Sequence, residues 1–276
     1  MNRQETKCIS LDELSLKGSY WPSSKESLAN VLIVHGLGEH HRRYEHVALA
    51  FTEQGFNVYA YDQRGHGISD GKRGHSPTQE HLHDDLEKNI KQITERSDKP
   101  LFVYGHSFGG NVVTSYMLKN GTANIKGAII SAPWFRLAFE PPKIEVALGR
   151  MMNHIWPAFT QSNQLDPGDL TNDAAVNDAY KNDPLVHDKI SASLFVNAYA
   201  AGYWCIDNAS KLKISSLMIH GQDDPLIDVH GSEDFIKNAG DNVSLKVWSE
   251  TKHEPHNDLK KDEVISYISS WISSNL

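Results

Sequence analysis

Four polar segments, each directly after a run of apolar residues, carry the side chains that could do covalent chemistry. The first is a G-x-S-x-G pattern between a predicted strand and a predicted helix, Gly105-His106-Ser107-Phe108-Gly109. This context is typical of a serine on a sharp, strained turn, because side chains at the two glycine positions would collide with neighbouring chain. The start of the helix adds N–H groups and a positive dipole end for developing negative charge. The pattern predicts that Ser107 is a nucleophile.

A serine nucleophile needs a base, and the base needs an acid that orients it. Two later predicted strands supply both in the expected order, serine, acid, histidine: Asp223 and Asp224 follow 215–220, and His253 and His256 follow 243–248. Adjacent side chains cannot both point at one imidazole, so only one of the two aspartates is the acid. His253 is favoured as the base because it comes straight off the strand, whereas His256 follows Pro255 and is predicted to start the last helix.

The fourth segment, IVHGLGEHHRRYEH at 33–46, is rich in histidine. It leaves a buried strand and enters a helix, so we expect His35 and Gly36 to shape the turn rather than bind a metal. The backbone N–H of Leu37 is then placed for an oxyanion, and the N–H of Phe108, the residue after the nucleophile, is the second donor. His41 and His46 are expected to face solvent or adjacent loops.

Other segments that resemble cofactor or metal motifs do not fit their templates. The run HEPH lacks one residue of the HExxH spacing and contains a proline, so it cannot place two ligands on one helical face. The loop 62–73 has neither the Walker nor the dinucleotide spacing, and is expected to fold beside the active site. The sequence therefore predicts no metal and no organic cofactor.

Alternating elements must position these groups. Short apolar runs alternate with longer segments of helical periodicity, which is typical of a mostly parallel sheet with crossover helices. Buried strands are predicted at 29–34, 57–61, 101–104, 126–131 and 215–220, a strand nearer the edge at 243–248, an antiparallel hairpin at 5–22, and helices at 44–54, 78–96, 108–119 and 258–273.

The segment 134–206 departs from this alternation, because it contains no strand-like run and is enriched in Asn, Asp, Pro and Met. Within it, apolar residues at spacings of three and four predict an amphipathic helix: Ile144, Leu148, Met151 and Ile155. Its apolar stripe is expected to face either the core or bound substrate. An insertion of this length between two strands favours a cap, with 1–133 and 207–276 as the core.

Composition limits the classes of protein that fit. The 276 residues contain 27 Lys and Arg against 35 Asp and Glu, a net charge of −8, which argues against a nucleic-acid partner. No run of eighteen apolar residues exists, and the first residues lack the apolar core of a signal peptide. Cys8 and Cys205 lie far apart and are expected to be free thiols in a reducing compartment. These features predict a cytoplasmic location.

Taken together, the motifs resemble the monoacylglycerol lipase and lysophospholipase branch of the α/β-hydrolases, close to the S33 serine aminopeptidases; they are HGLGEHHRRY, YDQRGHGISDG, GHSFGG, DPLVH, HGQDDPL and KHEPHND. The resemblance implies an eight-stranded, mostly parallel sheet flanked by helices, with a helical cap inserted after the sixth strand. It also implies that Asp224 is the acid and His253 the base. The chain departs from the family at Phe108, where Met is frequent, and in most of the cap.

The resemblance implies a serine carboxylic-ester hydrolase acting on single-chain lipid esters, monoacylglycerol first and lysophospholipid or a general ester as alternatives. Glu39 and His40 would then lie near the site entrance and meet a polar head group, and the cap stripe would contact the acyl chain. The cap could also touch a membrane or micelle surface transiently, which would make the protein peripheral. An aminopeptidase, with Glu140, Glu145 or Asp166 gripping an amine, and a non-catalytic ligand receptor remain alternatives.

Overall fold

An eight-stranded sheet forms the centre of the protein in a computed structural model that describes residues 3–276. The strands of the chain are β1 (Gln4–Ile9), β2 (Ser15–Trp21), β3 (Ala29–Val34), β4 (Phe56–Tyr61), β5 (Leu101–His106), β6 (Gly127–Ser131), β7 (Thr160–Ser162), β8 (Lys189–Ser191), β9 (Ser215–Gly221) and β10 (Val243–Trp248). The order in the large sheet is β1-β2-β4-β3-β5-β6-β9-β10. The first hairpin pairs antiparallel and β10 lies at an edge, as predicted.

Helices cover both faces of this sheet. They are α1 (Glu45–Glu53), α2 (Gln79–Arg96), α3 (Phe108–Asn120), α4 (Lys143–Ile155), α5 (Ala174–Asn182), α6 (Ala192–Asp207), α7 (Val229–Asn238) and α8 (Lys261–Ser274). Alternate residues of β3 point to opposite faces, so Leu32 joins the cluster under α2, α3, α6 and α7, whereas Ile33 joins the cluster under α1 and α8. Burial on both faces explains why β3 reads as a continuous apolar run.

The register brings the chemically informative loops to one edge of the sheet. In the large sheet, the strands β4, β3, β5, β6, β9 and β10 pair in parallel. Val34 of β3 lies opposite Gly105 of β5. Gly221 of β9 likewise lies opposite Trp248 of β10. Because parallel strands end at the same edge, the loops after β3, β5, β9 and β10 converge there.

The segment between β6 and β9 carries α4, β7, α5, β8 and α6, so an insertion after the sixth strand is present as expected. The prediction of no strand in this segment was wrong, because β7 and β8 form a small antiparallel pair. Each has three residues, too few to give a periodic pattern. The boundaries 134–206 stay a prediction: α6 packs onto α3, where Asn111 Nδ2 donates to the carbonyl of Ala198.

The apolar stripe of α4 does not face the core. Ile144 and Ile155 are each 70% exposed, and Leu148 and Met151 are each 49% exposed. The helix instead contacts α6 through its opposite side, where Gly149 lies near Phe195 and Val196. Of the two orientations considered, the core-facing one is therefore excluded, because Gly149 rather than the large apolar residues makes the helix–helix contact. None of the helices in residues 3–276 combines the length and apolar character needed to cross a bilayer.

Candidate active site

Ser107 occupies the turn between β5 and α3. Its backbone has φ 53° and ψ −117°, a left-handed conformation that L residues rarely adopt. A side chain at Gly109 would place its Cβ 2.2 Å from the carbonyl oxygen of Val34, and one at Gly105 would meet the carbonyl of Gly109 at 2.7 Å. The Ser107 N–H donates to the carbonyl of Ser131, 2.8 Å away. The two glycines therefore permit the strained turn, and hydrogen bonding holds it.

His253 links this serine to a carboxylate. Its Nε2 lies 2.9 Å from Ser107 Oγ, and its Nδ1 lies 2.7 Å from Asp224 Oδ2. The carboxylate accepts only, so Nδ1 carries the proton and Nε2 is free to accept the serine hydroxyl proton. All three side chains are buried. The structure thus brings together the serine, histidine and Asp224 that the sequence singled out, in the geometry of a nucleophile, base and orienting acid.

Every oxygen of Asp224 is engaged. Oδ1 accepts the N–H groups of Leu226 and Ile227, and Oδ2 accepts from His220 Nε2 at 3.1 Å as well as from His253. Burial raises the pKa of Asp224, but His253 and His220 lower it by more, so the pKa lies well below its usual range. Asp223 is exposed and does not contact the histidine. Sequence reasoning missed His220; its signal is a buried strand-end histidine four residues before the acid.

The pKa of His253 is raised above its ordinary value. Burial lowers it, but the Asp224 carboxylate raises it by more, and Glu254 and Glu39 add to the rise. His256, the other candidate, does not contact Ser107; its ring stacks on Tyr44 at 4.8 Å and its Nδ1 lies 3.2 Å from Tyr104 Oη. Burial lowers the pKa of His256 to about 3. It lies in the loop before α8 rather than at the helix start, because α8 begins at Lys261.

Two backbone N–H groups lie close to the serine without an acceptor in residues 3–276: those of Leu37 and Phe108. Phe108 is the first residue of α3, whose N–H has no partner within the helix. The loop after β3 lies against the nucleophile, since a Cβ on Gly36 would be 3.3 Å from Ser107 Cβ. The oxyanion hole formed by these two N–H groups stays a prediction.

Glu39 and His40 lie in the interior, not at an exposed entrance. Glu39 Oε1 accepts from the Gly36 N–H at 2.6 Å and from Tyr44 Oη at 2.7 Å, and Oε2 pairs with Arg43. His40 Nε2 lies 2.9 Å from Asp183 Oδ2. A contact of either side chain with a head group stays a prediction; in the structure Glu39 holds the loop and His40 contacts Asp183 of the cap.

The clustered histidines separate into different surroundings. His41 is buried, with Nδ1 2.7 Å from Asp62 Oδ1 and Nε2 2.9 Å from Ser19 Oγ, so it does not face solvent. His46 reaches the carbonyl of His256 at 2.8 Å. The prediction of solvent exposure was wrong for His41, because partners distant in sequence draw its ring inward, whereas His46 contacts an adjacent loop, which is one of the two predicted surroundings.

One buried group in the described part of the chain has the ligand spacing of a cation site: Glu39, His106 and Glu254 have ligand atoms within 4.8 Å of one another. Arg43 already occupies the space between the carboxylates, with both guanidinium ends on Glu254 at 2.7 Å. The guanidinium of Arg43 already neutralises the carboxylate charge that would otherwise attract a metal cation. The ion pair also ties the loop after β3 to the loop of His253.

The sequence profile described as serine aminopeptidase, S33 matches residues 25–260. The chain belongs to this family. An uncharacterized abhydrolase domain-containing protein of Dictyostelium discoideum is 36% identical over the whole chain, although the chain spans only 30% of that protein. Monoacylglycerol lipase of Mycolicibacterium smegmatis is 31% identical over 93% of this chain and 92% of its own. Among solved structures, Paleococcus ferrophilus monoacylglycerol lipase superposes with a TM-score of 0.85 at 28% identity, covering 100% of both chains.

The family match, together with the monoacylglycerol lipases among the relatives and solved structures, confirms the predicted resemblance, the α/β-hydrolase fold and the general class of enzyme, a carboxylic ester hydrolase. The family description also includes aminopeptidases, which require acidic groups that hold an amine. The cap residues considered for that task do not converge on Ser107: Glu140, Glu145 and Asp166 are all exposed. Asp166 accepts the N–H of Gly168 in its own turn.

Proposed function

We propose that this S33 family hydrolase cleaves monoacylglycerols, with Ser107 as nucleophile, His253 as base and Asp224 as orienting acid. The observation that carries the reaction type is the continuous chain of contacts, 2.9 Å from serine to histidine and 2.7 Å from histidine to aspartate, at a strained strand–helix turn. The substrate class is supported by the monoacylglycerol lipases among the relatives that align over nearly the whole chain.

In the first half of the reaction, neutral His253 accepts the Ser107 hydroxyl proton as Oγ attacks the ester carbonyl carbon. The resulting oxyanion takes the N–H groups of Leu37 and Phe108, a stabilisation whose removal typically costs about 10²- to 10³-fold in kcat. The tetrahedral intermediate collapses, the carbon–oxygen bond to glycerol breaks, and His253 Nε2–H protonates the leaving alkoxide. The acyl group remains on Ser107.

In the second half, His253 removes a proton from water, whose oxygen attacks the acyl carbon. The same two N–H groups stabilise the second oxyanion, and collapse returns the proton to Ser107 Oγ and releases the fatty acid. Asp224 keeps the proton of the imidazole on Nδ1 in both halves and stabilises the imidazolium that forms. No group outside the chain is needed for either proton transfer.

The exposed stripe of α4 supports a role in collecting the substrate rather than in lining its pocket. Ile144, Leu148, Met151 and Ile155 point away from the core, and Trp156 follows them at 56% exposure. Apolar faces of this kind lie in the plane of a lipid surface and gain free energy from the area they bury there. We infer a transient contact with the membrane or micelle that holds the single-chain ester, and therefore a peripheral protein.

A substrate panel tests this function. The purified protein is assayed with monooleoylglycerol, lysophosphatidylcholine, p-nitrophenyl esters of increasing chain length and an aminoacyl anilide. We expect the highest kcat/KM on monooleoylglycerol, rates that rise from short to medium p-nitrophenyl esters, and covalent labelling of Ser107 by a fluorophosphonate. Full activity in Ser107→Ala would refute the mechanism. Preference for lysophosphatidylcholine or the anilide would replace the substrate class, and absence of labelling would favour a ligand receptor.

A further inference from the structure

In the loop after β3, two side chains hold the His35–Gly36 peptide and a backbone N–H holds the carbonyl of Gly38. The carbonyl of His35 accepts from Gln63 Nε2 at 2.7 Å, and the N–H of Gly36 donates to Glu39 Oε1 at 2.6 Å. Further along, the carbonyl of Gly38 accepts the N–H of His187 at 2.9 Å. The peptide between Gly36 and Leu37 differs, because its N–H has no acceptor in the described chain. Its orientation must therefore be fixed through its carbonyl.

That carbonyl is held by the imidazole of His35. Nδ1 of His35 lies 2.7 Å from the Gly36 oxygen. In a trans peptide the C=O and N–H bonds point in opposite directions. Holding the Gly36 oxygen on the side of the imidazole therefore turns the Leu37 N–H to the other side. Rotation of this one peptide would aim a carbonyl oxygen, rather than a donor, at the oxyanion.

Only one proton arrangement of His35 can make this contact. The backbone N–H of Gln63 donates to His35 Nε2 at 3.0 Å, so Nε2 must carry a lone pair and the proton must be on Nδ1. The ring is fully buried. Burial lowers its pKa, although Asp62 and Glu39 raise it in part, so the ring is neutral. The Gln63 N–H donor at Nε2 therefore requires that Nδ1 carry the proton and donate to the Gly36 carbonyl.

We propose that His35, locked as the Nδ1–H tautomer by the Gln63 backbone, is a positioning residue that turns the Leu37 N–H toward the oxyanion. The inference rests on the proposed function and deepens it, since it assigns the orientation of one half of the oxyanion hole to a side chain that does not touch the substrate. The imidazole acts through its neighbour's peptide, and only through the nitrogen nearer the backbone.

Two substitutions separate that nitrogen from the rest of the ring. In His35→Asn the side-chain amide nitrogen can take the place of Nδ1 and still donate to the Gly36 carbonyl. In His35→Gln the longer side chain carries its polar atoms near the position of Nε2 and leaves the carbonyl free. We expect His35→Gln to lose about 10- to 100-fold in kcat with KM changed by less than about threefold, approaching the loss typical of a missing oxyanion donor. His35→Asn should retain most of kcat.

A tetrahedral inhibitor provides the readout that a purely structural role would not move. Affinity for a boronic acid, which places a negative oxygen in the oxyanion hole, should fall in His35→Gln by the same factor as kcat/KM. The control for loss of a buried imidazole is His83→Asn. The His83 ring lies in α2, and its Nε2 contacts Ser115 Oγ of α3. This variant should lower the melting temperature without changing inhibitor affinity. Equal losses in His35→Asn and His35→Gln, or unchanged affinity in His35→Gln, would overturn the proposal.

The wild-type protein gives a second test if both variants fold poorly. Nitrogen chemical shifts of the histidine rings distinguish the two neutral tautomers, and the His35 ring should carry its proton on Nδ1. A proton on Nε2 would refute the inference directly. Failure of the proposed function is distinguishable, because it would appear as full activity in Ser107→Ala. A wild-type enzyme that labels at Ser107 while His35→Gln behaves normally would remove only the role of His35.

Discussion

Replacing Asp224 with asparagine should lower kcat by about 10⁴-fold, whereas the same change at Asp223 should leave it within about twofold. Oδ2 of Asp224 holds the Nδ1–H of His253 at 2.7 Å and takes a second bond from His220. If the asparagine carbonyl stays on the two N–H groups of Leu226 and Ile227, its amide nitrogen faces both rings. A donor there favours the tautomer in which Nδ1 accepts and Nε2 is protonated, and such an imidazole cannot take the serine proton.

The expected loss corresponds to about 5.5 kcal/mol at about 1.4 kcal/mol per tenfold change in rate. It should appear in kcat on monooleoylglycerol and on p-nitrophenyl butyrate alike, because it affects the base and not the binding of either substrate. Asp223→Asn is the matched control: the adjacent side chain is exposed, and its N–H bond to the Thr251 carbonyl involves only the backbone. A comparable loss in Asp223→Asn, or more than a tenth of wild-type kcat in Asp224→Asn, would refute this assignment.

Three further outcomes are expected. The raised pKa of His253 places the acid limb of kcat/KM above the usual histidine pKa of about 6.5. Activity rises with pH across this limb because the base must be neutral. A limb below about 6 in a pH–rate profile would contradict this. Burial lowers the pKa of His83 to about 4 and of His256 to about 3, so their contribution to stability is present above about pH 6.5 and lost as pH falls. Chemical denaturation should therefore show about 2 kcal/mol lost per group at pH 5, and a free energy of unfolding that is flat from pH 7 to 5 would exclude it. Replacing Ile144, Leu148 and Ile155 together with serine should weaken vesicle binding at least about tenfold and leave p-nitrophenyl butyrate hydrolysis unchanged. Leu11→Ser, at another exposed apolar residue, is the control. Equal vesicle binding in all variants would refute the surface contact.

The catalytic groups could be anticipated because each follows a buried strand, and parallel strands end at one edge. The register of β3 with β5 and of β9 with β10 depends on apolar runs that can be recognised in the sequence. The choice between Asp223 and Asp224 did not follow from those patterns, since both are carboxylates on one turn. It required the resemblance, and in the structure it depends on which side chain the N–H groups of Leu226 and Ile227 receive.

The remaining features depend on contacts between residues far apart in sequence. Burial of the Glu39 carboxylate requires the Arg43 guanidinium, which also pairs with Glu254. No local sequence pattern predicts such a pairing. His41 is likewise drawn inward by Asp62. The stripe of α4 has the periodicity of any amphipathic helix, and periodicity alone does not say whether the apolar side meets protein or lipid. The packing of Gly149 against α6 shows only that the stripe does not face the protein core.

The ion pair between Arg43 and two glutamates also sets the charge balance around the base. Three buried carboxylates, Glu39, Glu254 and Asp224, surround His253, and one guanidinium compensates only part of their charge. The resting site therefore carries excess negative charge in a medium that screens it weakly. During attack by Ser107, proton transfer places a positive charge on His253 beside these carboxylates, while the matching negative charge forms at the substrate oxygen. The interior is thus better matched electrostatically to the transition state than to the resting enzyme, which is the condition under which surrounding charge accelerates a reaction.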